Sequence, residues 1–357
     1  KATFKPADGR RLVDILKPMK MCDPAVGSGA FPVGLLHELV NLRRIVETIA
    51  NGFVDPLRRE GSNWVHQTKA DIVENCLYGV DIQQQAIEIC RLRLWLSLIV
   101  DYDLGLDPFE ADPAQFRQAI ERISQLPNLE MNFHRGDSLL DYICGVNVRV
   151  APEKSETYSK EYLKIRNLGL KLHHAKESKP KRELRVEILR HRLELSERVL
   201  GNGIKSLMDA NSQLALSIGA ETETQAGKRR QVEQEVSRMQ DALQKVAADR
   251  KTLEKIAARP YDIAHFYPEL RKLEGADFDS PFNFSWRIDF ADIFQGSKGG
   301  FDLILGNPPF VTARNPEKRE MYRERWKRVC TGKYLLVCPF FDLSFGLLRP
   351  GGQLGFI

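Results

Sequence analysis

The sequence predicts an α/β protein, a doubly wound and mainly parallel sheet interrupted by a long helical insertion. Three observations carry this. Short apolar runs alternate with stretches of helical spacing in the first and last parts of the chain, the pattern of β-α units. Each run ends in a Gly-rich or acidic signature. Between the third and fourth runs lies a segment of a different kind, charged and heptad-like.

Met19 to Asp23 reads as a short strand entering a Gly-rich turn, and Val33 to Ile49 then keeps helical spacing. Cys76 to Ile82 is a second strand, followed by a helix over Gln83 to Leu98. Glu130 to Arg135 is a third strand, ending in Gly136-Asp137-Ser138. Phe301 to Leu305 is a fourth, running into Gly306-Asn307-Pro308-Pro309-Phe310. Leu335 to Leu348 is apolar and of helix length, with Pro339 requiring a late start or a kink. Pro350-Gly351-Gly352 is a turn, and Gln353 to Ile357 opens a fifth strand.

In the insertion, Tyr158, Tyr162, Ile165 and Leu172 recur at intervals of three and four or their sums. So do Val186, Leu189, Leu193, Leu200 and Leu207, and again Val232, Val236, Met239, Leu243, Val246 and Leu253. Breaks at Ser178-Lys179-Pro180 and at Gly219 to Thr224 suggest two or three helices folded as an antiparallel hairpin. The chain is thereby divided into residues 1–150, 151–265 and 266–357.

At 357 residues, 43% hydrophobic and 28% charged, the composition is that of an ordinary globular protein. No apolar run reaches the roughly 18 residues of a membrane span, and the N-terminus lacks a signal-peptide pattern. The six cysteines are scattered, which fits neither a disulfide framework nor a zinc site. A reducing cytoplasm, no structural metal and no membrane partner are expected. Residues 151–260 hold 23 Lys and Arg against 16 Asp and Glu, so the basic surplus of the chain belongs to the insertion. That is weak support for a polyanionic partner. The insertion reads as a structural hairpin with solvated charges, or as a contact to a nucleic-acid backbone.

Asp23-Pro24-Ala25-Val26-Gly27-Ser28-Gly29-Ala30-Phe31 stands between a strand and a helix. Its glycines allow a tight turn and let a ligand approach the backbone. The following helix offers free N–H groups, and an acidic residue at the strand end can hold a cationic amine. Asp81, in Gly79-Val80-Asp81-Ile82, stands where a ribose is held in doubly wound sheets, or caps the next helix. Asp137 can accept from an amino group, or is a turn residue. Asn307-Pro308-Pro309-Phe310 is more specific. Two prolines hold the backbone extended past a buried strand, turning the Asn307 side-chain oxygen and the Pro308 carbonyl toward the carboxyl edge of the sheet. Two acceptors on one exocyclic amine suit methylation of a conjugated amino group, and Phe310 offers a ring for a base to stack on.

The ordered set DPAVGSGAF, GVDI, GDSL and FDLILGNPPF resembles the γ-class amino-methyltransferases. It is most similar to the type IIG restriction–modification enzymes and the related BREX-type phage-defence adenine methyltransferases. The run Arg91-Leu92-Arg93-Leu94-Trp95, the phrase Phe284-Ser285-Trp286-Arg287-Ile288-Asp289-Phe290 and the ending PGGQLGFI are similar too. The resemblance covers about residues 18–145 and 282–357. Val26 departs from a common Cys, Pro32 from an aliphatic residue, and Phe4-Lys5-Pro6 is a faint form of a Thr-Pro element.

The resemblance implies a Rossmann-like class I methyltransferase sheet, with residues 1–150 as the S-adenosylmethionine half and 266–357 as the catalytic half. It implies that Asp23, Pro24, Ala25, Gly27, Gly29 and Phe31 line the methionine and adenosine side. Asp81 and Ile82 would hold the ribose, Asp137 and Ser138 the cofactor adenine, and Asn307, Pro308, Pro309 and Phe310 the target base. The implied reaction is N6 methylation of an adenine flipped from duplex DNA, without a metal, in a cytoplasmic and nucleoid-associated protein. Nuclease or other defence modules are expected in the same or partner chains. Two sheet strands and the target-recognition domain of such enzymes are expected to be missing from this sequence. Methylation of RNA or of a protein glutamine is the nearest alternative, and a non-catalytic scaffold of a defence assembly is the second.

Overall fold

In the computed structural model, which describes residues 4–58, 63–101, 129–143, 146–147, 158–174, 178–216, 223–258, 270, 273, 284–294 and 299–357, five apolar runs form one sheet. The strands are β1 (Met21–Asp23), β2 (Leu77–Asp81), β3 (Phe133–Arg135), β4 (Phe301–Gly306) and β5 (Leu348–Phe356). Their order is β3-β2-β1-β4-β5 and every pairing is parallel. The chain leaves β1 toward β2 and β3, then returns to place β4 on the other side of β1. The carboxyl ends beside that reversal form a crevice, the usual place for ligands in open parallel sheets.

The helices α1 (Pro6–Leu16), α2 (Ala30–Ala50), α3 (Trp64–Asn75) and α4 (Gln84–Ile99) belong to the same half of the sheet. Leu36, Ile72, Ile87, Leu94 and Leu98 are fully buried against Leu77 and Phe133. Each contributes roughly 1.5–3 kcal/mol by leaving water. Pro6 opens α1, where no amide hydrogen is needed. Pro32 falls in the first turn of α2 for the same reason. Asn132 closes the end of α3: its buried side-chain amide donates to the carbonyls of Val73, Glu74 and Leu77 at 3.1, 2.8 and 3.1 Å. The carbonyls of Val73 and Glu74, in the last turn of that helix, would otherwise lack donors.

Three boundaries differ from the sequence reading. Leu129–Met131 is a single 3-10 turn, so β3 begins only at Phe133. Helix α9 (Val337–Leu347), which follows α8 (Pro316–Arg325), begins two residues into the expected run, the late start that Pro339 calls for, and so needs no kink. Pro350-Gly351-Gly352 does not end a strand. It lies inside β5 as an irregularity between the pairs Phe301–Leu348 and Leu303–Gln353, with Gly351 at φ +78°.

The contacts divide the chain into Lys1–Leu139 with Ile293–Ile357, and Leu140–Asp292. The boundaries expected at 150 and 265 lie outside the described residues. The second unit contains α5 (Ser159–His174), α6 (Ser178–Leu216) and α7 (Glu223–Ala258). Ser178 to Pro180 form the first turn of α6 and not a break; most of Gly219 to Thr224 lies outside the described residues. Arg190 pairs with Glu254 at 2.8 Å and Arg250 with Glu197 at 2.8 Å, so α6 and α7 run antiparallel. Glu161–Arg198 and Tyr158–Asn202 set α5 antiparallel to α6 in the same way.

The expected stripe is buried at Tyr162, Ile165, Leu189, Leu193, Leu200, Val246 and Leu253, while Val232 and Val236 are only half-buried. Ile188, Leu195 and Ser196 are buried as well, because α6 is flanked by two helices and needs a wider apolar face than a two-stranded seam. The phrase Phe284 to Phe290 belongs to this unit. Phe284, Trp286 and Phe290 pack ring against ring with centroids 5.1–6.0 Å apart. Asp289 accepts the Ser285 N–H at 2.9 Å and meets Arg192 at 2.7 Å, with both charged side chains 8% exposed.

Removing one member of such a buried pair leaves the other uncompensated. Arg192→Met is expected to destabilise the helical unit by about 3–5 kcal/mol, and adding Asp289→Leu to recover most of the loss. Denaturant midpoints of the two variants and the parent check this.

Candidate active site

The turn after β1 is built by two glycines with different duties. Gly27 has φ +53° and open space where a side chain would stand, so its backbone is accessible to a ligand. Gly29 has φ +83°, and a Cβ there would lie 2.6 Å from the Cys90 Sγ of α4. That closeness is possible only without a side chain. The Val26 N–H pairs with the Val80 carbonyl at 3.0 Å, and the Ser138 hydroxyl donates to the Pro24 carbonyl at 2.6 Å. Asp81 accepts the Gly27 N–H at 3.0 Å on one oxygen and the Gln83 N–H at 2.8 Å on the other.

Arg91 and Arg93 of α4 serve this same corner. Arg91 donates to the Phe133 carbonyl at 2.5 Å and Arg93 to the Ser28 carbonyl at 3.2 Å. The Arg-Leu-Arg run therefore ties one helix both to β3 and to the turn after β1.

A cleft of about 360 Å³ opens at these strand ends. It is lined by Pro24 and Ala25 after β1, Asp81, Ile82 and Gln83 after β2, Gly136 to Leu139 after β3, and Asn307 and Pro309 after β4. Tyr322, Leu336 and Phe340 complete it. Asp23, Gly27, Gly29, Phe31, Pro308 and Phe310 do not line it. Asn307 is exposed, and its side chain has no hydrogen-bond partner among the described residues. Pro308 is buried, whereas Phe310 and Val311 are 59% and 55% exposed, an apolar pair facing solvent beside the cleft.

Asp137 is 3% exposed and already engaged: its Oδ2 accepts from Lys318 Nζ at 3.0 Å and from the Tyr322 hydroxyl at 2.9 Å. Sequence reasoning passed over both residues. Their i, i+4 spacing in the helix after Asn307 is the only signal they carry, and it names no partner. A second feature was obscured by averaging charge over long segments. Arg314 to Lys333 holds eight Lys and Arg against three Asp and Glu, directly after the exposed Phe310.

Asp23 is 3% exposed; its Oδ1 accepts the Ala25 N–H at 3.0 Å, while its Oδ2 is buried without a partner among the described residues. A Cβ on Gly306 of β4 would strike this carboxyl group, so glycine is required where β4 passes it. Burial above all, with the nearby Asp81 charge adding to it, raises Asp23 from an ordinary 3.8 to about 7. Burial likewise pushes the Cys90 thiol up to about 12. The five described cysteines are free, and no group of three or more metal-ligating side chains occurs among the described residues. No helix among them is long and apolar enough to cross a membrane.

Between pH 3.8 and 7 the folded protein holds a proton on Asp23 that the unfolded chain has released. Stability from this residue is therefore present at low pH and lost as pH rises through about 7. Asp23→Asn is expected to gain thermal stability over the parent progressively across that window, with a constant gap above it. Melting curves at pH 5 and pH 8 check the sign, which a pH-independent gap would contradict.

Residues 75–357 match the family model described as Eco57I restriction-modification methylase. The chain is also 27% identical, over 371 aligned positions, to a protein of Methanocaldococcus jannaschii named "Putative type II restriction enzyme and methyltransferase". The alignment covers 98% of this chain and 26% of that protein, so the chain spans about a quarter of its relative's length. The family match begins just before β2, takes in the Asp81, Asp137 and Asn307 strand ends, and covers well over half of the sequence. The chain belongs to the Eco57I restriction-modification methylase family.

Proposed function

We propose that this chain is the catalytic part of a site-specific DNA methyltransferase that methylates N6 of adenine with S-adenosylmethionine. One observation carries the reading. The loops after four adjacent parallel strands meet at one cleft, bringing Asp81, Asp137 and the unpartnered Asn307 side chain to the same edge.

The residues fit this cofactor. The Oδ2 of Asp23, buried without a partner among the described residues, is a carboxyl oxygen that an ammonium group would ionise and pair with, and the open backbone at Gly27 lets a ligand lie close. The two N–H donors on Asp81 leave acceptor capacity for ribose hydroxyls, since a carboxylate has about four lone-pair sites. S-adenosylmethionine supplies an electrophilic methyl group on a sulfonium, a leaving group that needs no metal. Asn307 and the Pro308 carbonyl accept the N–H bonds of the target amine and so concentrate electron density on its nitrogen. Phe310, exposed at the mouth, is a platform for a base taken out of the duplex stack. Holding the reactants in line contributes much of the acceleration.

The basic stretch from Arg314 to Lys333 supports a polyanionic substrate beside the cleft. The relative's name joins restriction and methyl transfer, which supports a nuclease module acting with this domain in a restriction–modification or phage-defence system. Such a system works on the DNA of the cytoplasm and nucleoid.

Asn307→Ala is expected to lower methyl transfer at least ~100-fold, as loss of an acceptor used mainly in the transition state does, with cofactor affinity within about threefold of the parent. Modification-sensitive long-read sequencing of DNA from cells expressing the full-length protein, beside the Asn307→Ala control, tests it together with titration calorimetry. A motif-specific N6-methyladenine signal that vanishes in the control is the expected result. Absence of signal in both would turn the reading toward RNA or protein amines.

A further inference from the structure

The helix that follows the Asn307 turn reaches back to the far side of the cleft. Lys318 and Tyr322 stand one turn apart on α8, and both donate to the same atom, Asp137 Oδ2, at 3.0 and 2.9 Å. The Leu139 N–H donates to Asp137 Oδ1 at 3.2 Å. Asn315 starts the helix by accepting the Glu317 and Lys318 N–H groups at 2.8 and 3.2 Å, which fixes where Lys318 leaves the backbone. Trp326, just past the helix, donates to the Leu139 carbonyl at 2.9 Å. The helix is thus pinned at both ends to the loop after β3.

A carboxylate offers about four acceptor positions. Three are taken by Lys318, Tyr322 and Leu139, which leaves one, on Oδ1. Asp137 is 3% exposed, and Lys318, itself 26% exposed, sets a cation against it. Tyr322 is buried and lines the cleft with Asp137.

We propose that Lys318 and Tyr322 are positioning residues that act through Asp137, leaving it one acceptor site for a single N–H of the cofactor's purine and so selecting an amino-purine over a keto-purine. The inference rests on the S-adenosylmethionine reading. An exocyclic amine donates into the remaining site. A keto oxygen at the same place sets two acceptors against each other, and buried polar mismatches of that kind are rejected strongly.

The test measures binding of S-adenosylhomocysteine and of S-inosylhomocysteine to the full-length protein by calorimetry, beside thermal stability. The variants are Lys318→Met, Lys318→Arg and Tyr322→Phe. Lys318→Met is expected to weaken the adenosyl ligand about 10- to 100-fold and Tyr322→Phe about 3- to 10-fold, as loss of a charged and of a neutral hydrogen bond does. The inosyl ligand should bind weakly throughout and change less than about threefold. Lys318→Arg should restore most of the discrimination. Equal losses for the two ligands would mean a merely structural helix and overturn the proposal, as would unchanged affinity in both variants. If the parent binds neither ligand, the cofactor reading falls, and this inference with it.

Discussion

The turn between Asp23 and Gly29 is held by every strand beside it, and the site depends on that clamp. From β2, Asp81 takes the Gly27 N–H and the Val80 carbonyl takes the Val26 N–H. From the end of β3, the Ser138 hydroxyl donates to the Pro24 carbonyl. From β4, Gly306 passes so close to the Asp23 carboxyl that no side chain fits, and from α4, Cys90 closes on Gly29. The strands are short at this edge, so the ladder alone cannot fix four loops to within a hydrogen bond's tolerance. The cross-ties do it, and the hydrogen-bonded ones join residues up to 114 positions apart in the chain. A shift of one loop is therefore felt by all, which is what a site needs if two reactants are to be held in line.

Most of the sheet was legible because punctuation lies where the strands end. Asp-Pro-Ala-Val-Gly, Gly-Val-Asp, Gly-Asp-Ser and Gly-Asn-Pro-Pro each mark a boundary, and they stand at the ends of β1, β2, β3 and β4 in turn. What periodicity could not give was pairing across the chain. Asp137 reads in sequence as an acceptor or a turn residue, yet in the fold one of its oxygens is engaged by residues 181 and 185 positions later. The phrase Phe284 to Phe290 stood out as a marker before the catalytic strand. Its aromatic residues serve the helical unit instead, where Asp289 both closes the Ser285 turn and balances Arg192. A spacing rule carries no information about such partners, because they are fixed by packing rather than by local geometry.

Charge followed the same logic. The insertion holds the net surplus, but Arg166, Arg190, Arg192, Arg198 and Arg250 are spent on carboxylates within the helical unit. Ion pairs between helices set register and orientation more than they add stability. That favours the structural reading of the hairpin over backbone contact. The stretch after Asn307 is short and its surplus is denser, and it lies in the unit that carries the cleft. Net charge summed over a hundred residues points to one place, and the density of charge beside the chemistry points to another.

Asp23 shows what the site requires of the fold. A carboxyl group with one oxygen unpaired and out of water is destabilising in a protein judged by packing alone. Only the Ala25 N–H, on the other oxygen, partly relieves it, while Asp81 adds like charge and Gly306 brings β4 over it. Such a group is raised to about 7, near the pH at which cells work, so that a small electrostatic change decides its protonation. A ligand ammonium at that position would favour the ionised form and release the proton, so that binding would grow stronger as pH rises through this range. The instability of this strand end and the affinity it would have for a cationic ligand are then two aspects of one desolvated charge. Relieving the first by Asn would remove the second, which is the usual relation between stability and activity at a binding site.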